Sequence, residues 1–96
     1  MLKFTTASIS DGNLQVAGPA SSDSGLPVKH LRFLVAQGDA MVENEAFVSG
    51  DEWRGEAPAG DLKPGPAHGI GLAVMIGSGS PASYETRTWV EPITLS

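Results

Sequence analysis

The chain has 96 residues, with six Lys and Arg against eleven Asp and Glu, and therefore carries a formal net charge of −5. This length and a hydrophobic fraction of 41% fit one globular domain. The negative charge argues against nucleic acid and against an anionic membrane surface, because both need clustered cations. Cysteine is absent, which excludes disulfides and thiolate chemistry. The first residues lack the long apolar stretch of a signal peptide, and no apolar run is long enough for a transmembrane segment. Export is not expected if Met1 is the natural start, but the absence means nothing for an excised or processed domain, so the compartment stays open.

Short strands separated by turn residues are predicted from the N-terminus onward. Residues 2–9 and 14–18 form the first two strands, joined at residues 10–13 by a tight turn suited to positive φ. Residues 19–27, rich in Ser, Gly and Pro, form a connecting loop. Residues 28–36 are the clearest strand, because apolar residues recur there at period two. The alternation places Leu31, Phe33 and Val35 in the core and His30, Arg32 and Leu34 on the opposite face.

Four further strands follow with short connections. A polar strand at residues 41–48 suits a sheet edge, because charged side chains there discourage pairing with another molecule. Strands at 53–57 and 70–76 come next, residues 77–81 form a turn, and the last strand runs over 83–90, before Pro92. Parallel strands would need longer crossovers. The prediction is therefore an all-β fold, a seven-stranded antiparallel two-sheet sandwich.

The order of several short motifs resembles fibronectin type III and bacterial immunoglobulin-like domains. The motifs on which this resemblance rests are Leu14-x-Val16-x-Gly18, Val28-x-x-Leu31-x-Phe33-x-Val35, Gly50-x-x-Trp53 and Leu62-x-Pro64-Gly65-x-x-His68-x-Ile70-x-Leu72-x-Val74. The resemblance implies an immunoglobulin-like sandwich over the whole chain that acts as an accessory, spacer or adhesive module. It leans towards an extracellular or cell-surface protein. The missing cysteine pair excludes the antibody branch.

Core residues are predicted from the resemblance and from strand parity. His68 occupies the corner position that is usually Tyr, so its ring N–H would bond an upstream carbonyl. It shares parity with Ile70, Leu72 and Val74, which places all four side chains inward. Trp53 follows a hairpin turn and is expected in the core.

No catalytic, cofactor or metal site is predicted. The seven acidic residues between positions 39 and 61 lack the regular spacing of a calcium loop. The two histidines, His30 and His68, lack ligand-spaced neighbours and are expected on opposite faces. No Gly-x-Ser-x-Gly motif or phosphate-binding loop occurs. An enzyme is therefore disfavoured.

One surface is a candidate for partner binding. If Tyr84, Thr86, Thr88 and Val90 face the core, then Glu85, Arg87 and Trp89 face outward. In the immunoglobulin-like topology the third, sixth and seventh strands are neighbours. The candidate partner-binding residues are thus Trp89, Arg87, Arg32, Leu34 and Met75. The alternative is that Trp89 only covers Gly71 and Ala73.

The predicted function is a non-catalytic interaction or spacer module in a larger surface, secreted or phage-type assembly. Its expected partner is another protein or a second copy. The rivals are a carbohydrate-binding module using Trp89, and a structural protomer that self-associates through the same outer face.

Overall fold

A computed structural model describes residues 2–20, 27–77, 79 and 83–96. Seven β-strands lie in this part of the chain, and each pairs with its neighbours in antiparallel orientation. They are β1 (Thr6–Ser10), β2 (Asn13–Pro19), β3 (Val28–Gln37), β4 (Ala40–Ser49), β5 (Glu52–Pro58), β6 (Gly65–Ile76) and β7 (Tyr84–Leu95). The prediction of an all-β fold with seven antiparallel strands is confirmed.

Hydrogen bonding joins the strands into one curled sheet in the order β1-β2-β5-β4-β3-β6-β7. The junction is β4, because residues 40–46 pair with β3 whereas residues 47–49 pair with β5. The two outermost strands meet at one end, where the Ile9 N–H donates to the Ser96 carbonyl at 2.9 Å. Two separate sheets were predicted, and the shared strand β4 instead makes their hydrogen bonding continuous.

The turns explain why the connections are short. Asp11 and Gly12 both have positive φ, at 52° and 78°, which matches the tight turn predicted at residues 10–13 between β1 and β2. Gly38 and Gly50 also adopt positive φ, between β3 and β4 and between β4 and β5. Most of the predicted loop at 19–27 and most of the turn at 77–81 lie outside the described residues.

Several predicted strand ends were wrong. β1 begins only at Thr6, because residues 2–4 leave the sheet and bury Leu2 and Phe4 in the core. β6 begins at Gly65 rather than at residue 70. β7 continues through Pro92 to Leu95. Proline is tolerated there because β7 is an outermost strand, where a missing N–H on the open side costs no sheet hydrogen bond.

Aromatic rings fill the concave inner side of the sheet around Trp53, which is 0% exposed. The Phe4 ring meets Trp53 edge-on with centroids 5.0 Å apart, and Phe33 stacks beside it at 6.4 Å. The Trp53 indole N–H donates to the Lys3 carbonyl at 3.2 Å. Leu31, Phe33 and Val35 are buried on β3, the side that the alternation predicted.

The predicted parity of β6 and β7 was wrong. Ala67, Gly69, Gly71, Ala73 and Met75 point inward, and His68, Ile70, Leu72 and Val74 point to the outer side. On β7, Tyr84, Thr86, Thr88 and Val90 are exposed on the outer side, and Trp89 is half-buried on the inner side. The physical reason is ring size. A Cβ at Gly71 would overlap the Trp89 ring, and one at Gly69 would lie 2.7 Å from the Phe4 ring, so small residues must line the inside.

A candidate interaction face and a polar groove

The outer side of β6 carries four large aliphatic side chains in alternate positions. These are Ile70, Leu72, Val74 and Ile76. The core does not use them, because the inner side of the same strand is already filled by Trp89 and Phe4 over glycines. Leu72 is 45% exposed. Such a row of aliphatic side chains on a solvent face is the kind of feature that marks an interaction site.

Neighbouring strands extend this row into a two-dimensional patch. Strand register places Leu34 of β3 opposite Ile70, and Val90 of β7 opposite Ile70 on the other side. Leu34 is half-buried and Val90 is 64% exposed. We call the patch formed by Leu34, Ile70, Leu72, Val74 and Val90 the outer apolar face.

Charges lie along one margin of the outer apolar face. Arg32, which is opposite Leu72 in the register, lies 3.5 Å from a carboxylate oxygen of Glu45 and 3.9 Å from one of Glu43. These are exposed ion pairs, which contribute little to stability. On the opposite margin, Thr86 and Thr88 of β7 are exposed and uncharged. The face is therefore apolar at its centre and acidic beside β4.

Three of the five predicted partner-binding residues lie elsewhere. Met75 is fully buried, and Trp89 lies over Gly71 with its ring 6.4 Å from that of Phe4. Arg87 remains exposed but has inner parity, and its Nε donates to Glu85 at 2.8 Å. Arg32 and Leu34 do belong to the outer side of β3. On β6 and β7 the outer side is thus formed by the residues next to the predicted ones, because the predicted ones lie on the inner side.

His68 is not a buried corner residue. Because β6 begins at Gly65, His68 lies inside the strand, opposite Ala36 and Pro92, with its side chain exposed. His30 is also exposed on the outer side, six residues along the β3–β6 ladder from that position. Within the described residues, no three His, Asp or Glu side chains come together in a way that could hold a metal ion.

A second surface feature is a groove of about 660 Å³ over β1, β2, β5 and the end of β4. Register places Thr6, Ala17, Arg54 and Phe47 in one row across the four strands. Phe47 is 84% exposed. Asn44 donates from Nδ2 to the Glu56 carbonyl at 2.8 Å, across the point where β4 and β5 part. The other lining side chains are mainly hydroxyls, amides and carboxylates.

Sequence reasoning missed Phe47 and assigned Ile70, Leu72, Val74 and Val90 to the core. The signal for the second group was present, because Gly69, Gly71 and Ala73 alternate with the aliphatic residues and leave room for a ring on their side. A signal for Phe47 was also present, because it shares the strand parity of Glu43 and Glu45, and all three side chains are exposed on the same side of β4.

Comparison of the chain with known protein families, with curated proteins and with solved structures gives no match in any of the three. The part of the chain that the structure describes contains no helix able to cross a membrane.

Proposed function

We propose that the chain is a non-catalytic immunoglobulin-like domain that acts as an interaction or spacer module, and that its binding surface is the outer apolar face. The observation that carries the proposal is the inversion on β6. Its large aliphatic side chains point to solvent while glycine and alanine point to the core. A partner that covers Leu72 and its neighbours would remove apolar surface from water, which favours association.

The strand order supports the immunoglobulin-like part of the proposal. Read as two halves, β1-β2-β5 and β4-β3-β6-β7 follow the arrangement of a fibronectin type III-like sandwich, with β4 as an extra link between the halves. The buried Trp53 of β5 lies opposite Gly18 of β2 in its own half, and its ring stacks beside that of Phe33 in the other half. The fold by itself does not define a function, so the proposal depends on the outer apolar face.

The expected occupant of this face is a protein surface with an apolar centre and basic residues on one side. The basic side would meet Glu43 and Glu45 of β4, whose carboxylates are only loosely held by Arg32. Electrostatic complementarity of this kind fixes orientation and association rate more than affinity. The apolar centre would supply most of the affinity, through residues such as Leu72.

The test uses site-specific photo-crosslinking in the native host, followed by calorimetry with the purified partner. A photoreactive phenylalanine analogue at Leu72 should yield a crosslink that the same analogue at Asn13, an exposed residue of β2 outside the outer apolar face and the groove, does not. The Leu72→Ser variant should then bind the crosslinked partner at least about tenfold more weakly. Equal affinity of Leu72→Ser and wild type would contradict the proposal, and so would turnover in a broad hydrolase screen.

Carbohydrate binding is the second candidate, and the groove beside Phe47 is the observation that favours it. Sugars pack on exposed rings and hydrogen-bond to nearby hydroxyls, amides and carboxylates, and the groove offers all of these. Trp89 cannot serve as the stacking platform, because its ring lies against Gly71. A glycan array with wild type and Phe47→Ala tests this candidate, and Tyr84→Ala is the matched control outside the groove.

A further inference from the structure

One edge of the sheet is open along most of its length. β7 is the last strand in the order, and β6 occupies only one of its two sides. On the other side, β1 reaches it only at the C-terminal end, through the backbone of Ser96. Among the described residues, no strand pairs with the open side from Tyr84 to Glu91. This stretch is the free edge of β7.

The phase of the hydrogen bonds shows which residues face the open side. The Gly77 N–H donates to the Ser83 carbonyl at 2.8 Å, so that pair is hydrogen-bonded and the next pair, Ile76 with Tyr84, is not. With the unbroken register, alternation directs the N–H and C=O groups of Tyr84, Thr86, Thr88 and Val90 away from β6. Ser96 has the same parity and bonds outward to β1, which agrees with this phase.

Two of the usual safeguards of an edge strand, proline and a β-bulge, are missing from residues 84–91, and the charged residues Glu85, Arg87 and Glu91 permit pairing only in a register that sets opposite charges against each other. Protected edges carry charged side chains (lysine above all), proline, a bulge or a covering loop. Residues 84–91 include no Lys, Pro or Gly, and the β6–β7 register shows no bulge. The first proline is Pro92. The free edge of β7 is therefore a template for another strand.

We propose that the free edge of β7 pairs with the same edge of a second copy, antiparallel, about a two-fold axis at Thr86. The two-fold axis keeps each side chain on its own side of the sheet. Glu85 then lies opposite the second copy's Arg87, and the same contact occurs twice. Thr86 faces its own symmetry mate, and Tyr84 faces the second copy's Thr88. The pairing adds about six backbone hydrogen bonds.

Charge selects this register over its neighbours. An axis at Arg87 would place two arginines opposite each other, and an axis at Thr88 would place Glu85 opposite Glu91. Like charges directly opposite are destabilising. An axis at Trp89 would pair Arg87 with Glu91, but Glu91 already accepts the Phe4 N–H at 2.9 Å. That register would also set Thr86 against Pro92, which has no N–H to donate.

Arg87 can serve both copies. Its Nε contacts Glu85 of its own strand at 2.8 Å, and a guanidinium has further N–H donors that can reach a second carboxylate. A single strand pair buries less surface than a stable interface of about 800 Å² per partner. The dimer is therefore weak and concentration-dependent, and it leaves the outer apolar face uncovered.

Cysteine crosslinking tests the register directly, since the chain has no cysteine of its own. In the proposed dimer the two Thr86 Cα atoms are about 5.5 Å apart, which a disulfide can bridge. The matched control is Thr88→Cys, because the two Thr88 Cα atoms would be separated by about 13 Å along the strands. Mild oxidation at high protein concentration should convert Thr86→Cys to a covalent dimer and leave Thr88→Cys monomeric. Equal crosslinking of both variants, or of neither, would overturn the proposal.

Charge reversal supplies a second, independent readout by sedimentation velocity. Wild type should show a rising mean mass as its concentration increases into the millimolar range. Arg87→Glu and Glu85→Arg should each remain monomeric, and the double exchange Glu85→Arg/Arg87→Glu should restore the dimer. Circular dichroism checks that each variant is folded. A wild-type monomer throughout would overturn the proposal. So would a dimer abolished by Leu72→Ser but unaffected by charge reversal, because such a dimer would use the outer apolar face instead.

Discussion

The two sides of β6 reverse the usual distribution of side-chain size, because the large aliphatic residues are on the outer side and the small residues are on the inner side. The inner side carries glycine, alanine and a single methionine, whereas the outer side carries isoleucine, leucine and valine. Inside, the volume that β6 lacks is supplied by rings from elsewhere in the chain, namely Phe4 and Trp89. The inner side therefore depends on a close fit to distant rings, whereas the outer side has only its cross-strand neighbours on β3 and β7. The difference separates residues that pack against the core from residues that leave apolar surface exposed to solvent.

The largest effect should come from removing the central ring of the inner side. Trp53→Ala takes away a fully buried indole, its contacts with Phe4 and Phe33, and its hydrogen bond to Lys3. We expect a loss of about 3–5 kcal/mol in the free energy of unfolding. That would leave a domain of this size close to unfolded. Urea denaturation followed by circular dichroism measures it. A loss below about 1 kcal/mol would show that the rings do not hold the inner side together.

A smaller but more specific loss is expected when a methyl group is added to the inner side of β6. Gly71→Ala places a Cβ against the Trp89 ring, so the ring must move, and the expected cost is about 1–3 kcal/mol. Trp89 is one of two tryptophans, and its fluorescence should shift. In a Trp89→Leu background the same substitution should cost less, because the overlapping ring is gone. Equal costs in both backgrounds would mean that Trp89 does not determine the small residue at position 71.

The sequence was sufficient for the seven strands and their antiparallel pairing, because alternation and turn residues are local signals. It was also sufficient for the core side of β3, where His30 and Arg32 contrast with Phe33 and Val35. It failed on β6, where both sides are uncharged and alternation alone does not choose between them. The side is decided by distant rings, Phe4 and Trp89, and a change of one residue reverses every side chain. Nor could the sequence predict that β4 pairs with both β3 and β5, because this pairing depends on how the two halves of the sheet are placed in space.

A matched pair of residues on β6 separates its two sides directly. Leu72→Ser on the outer side should change the free energy of unfolding by about 1 kcal/mol or less. Met75→Ser, three residues away and fully buried, should cost several times more because it leaves a cavity and an unpaired hydroxyl. Thermal denaturation of both variants under one set of conditions compares them. Similar losses would contradict the assignment of Leu72 to a free surface and would remove the main support for the outer apolar face.

The smallest effect should come from Trp89→Phe, and it distinguishes the two tryptophans. The indole N–H of Trp89 is buried without a hydrogen-bond partner among the described residues, whereas that of Trp53 has one. Leaving a donor unpaired costs about 1–3 kcal/mol. Removing that donor should therefore offset most of the packing lost with the smaller ring, and the net change should lie within about 1 kcal/mol. Trp53→Phe lacks this compensation and should be clearly destabilising. If Trp89→Phe were as costly as Trp53→Phe, the fit of the indole over Gly71 would outweigh its unpaired N–H, and close packing alone would determine the inner side.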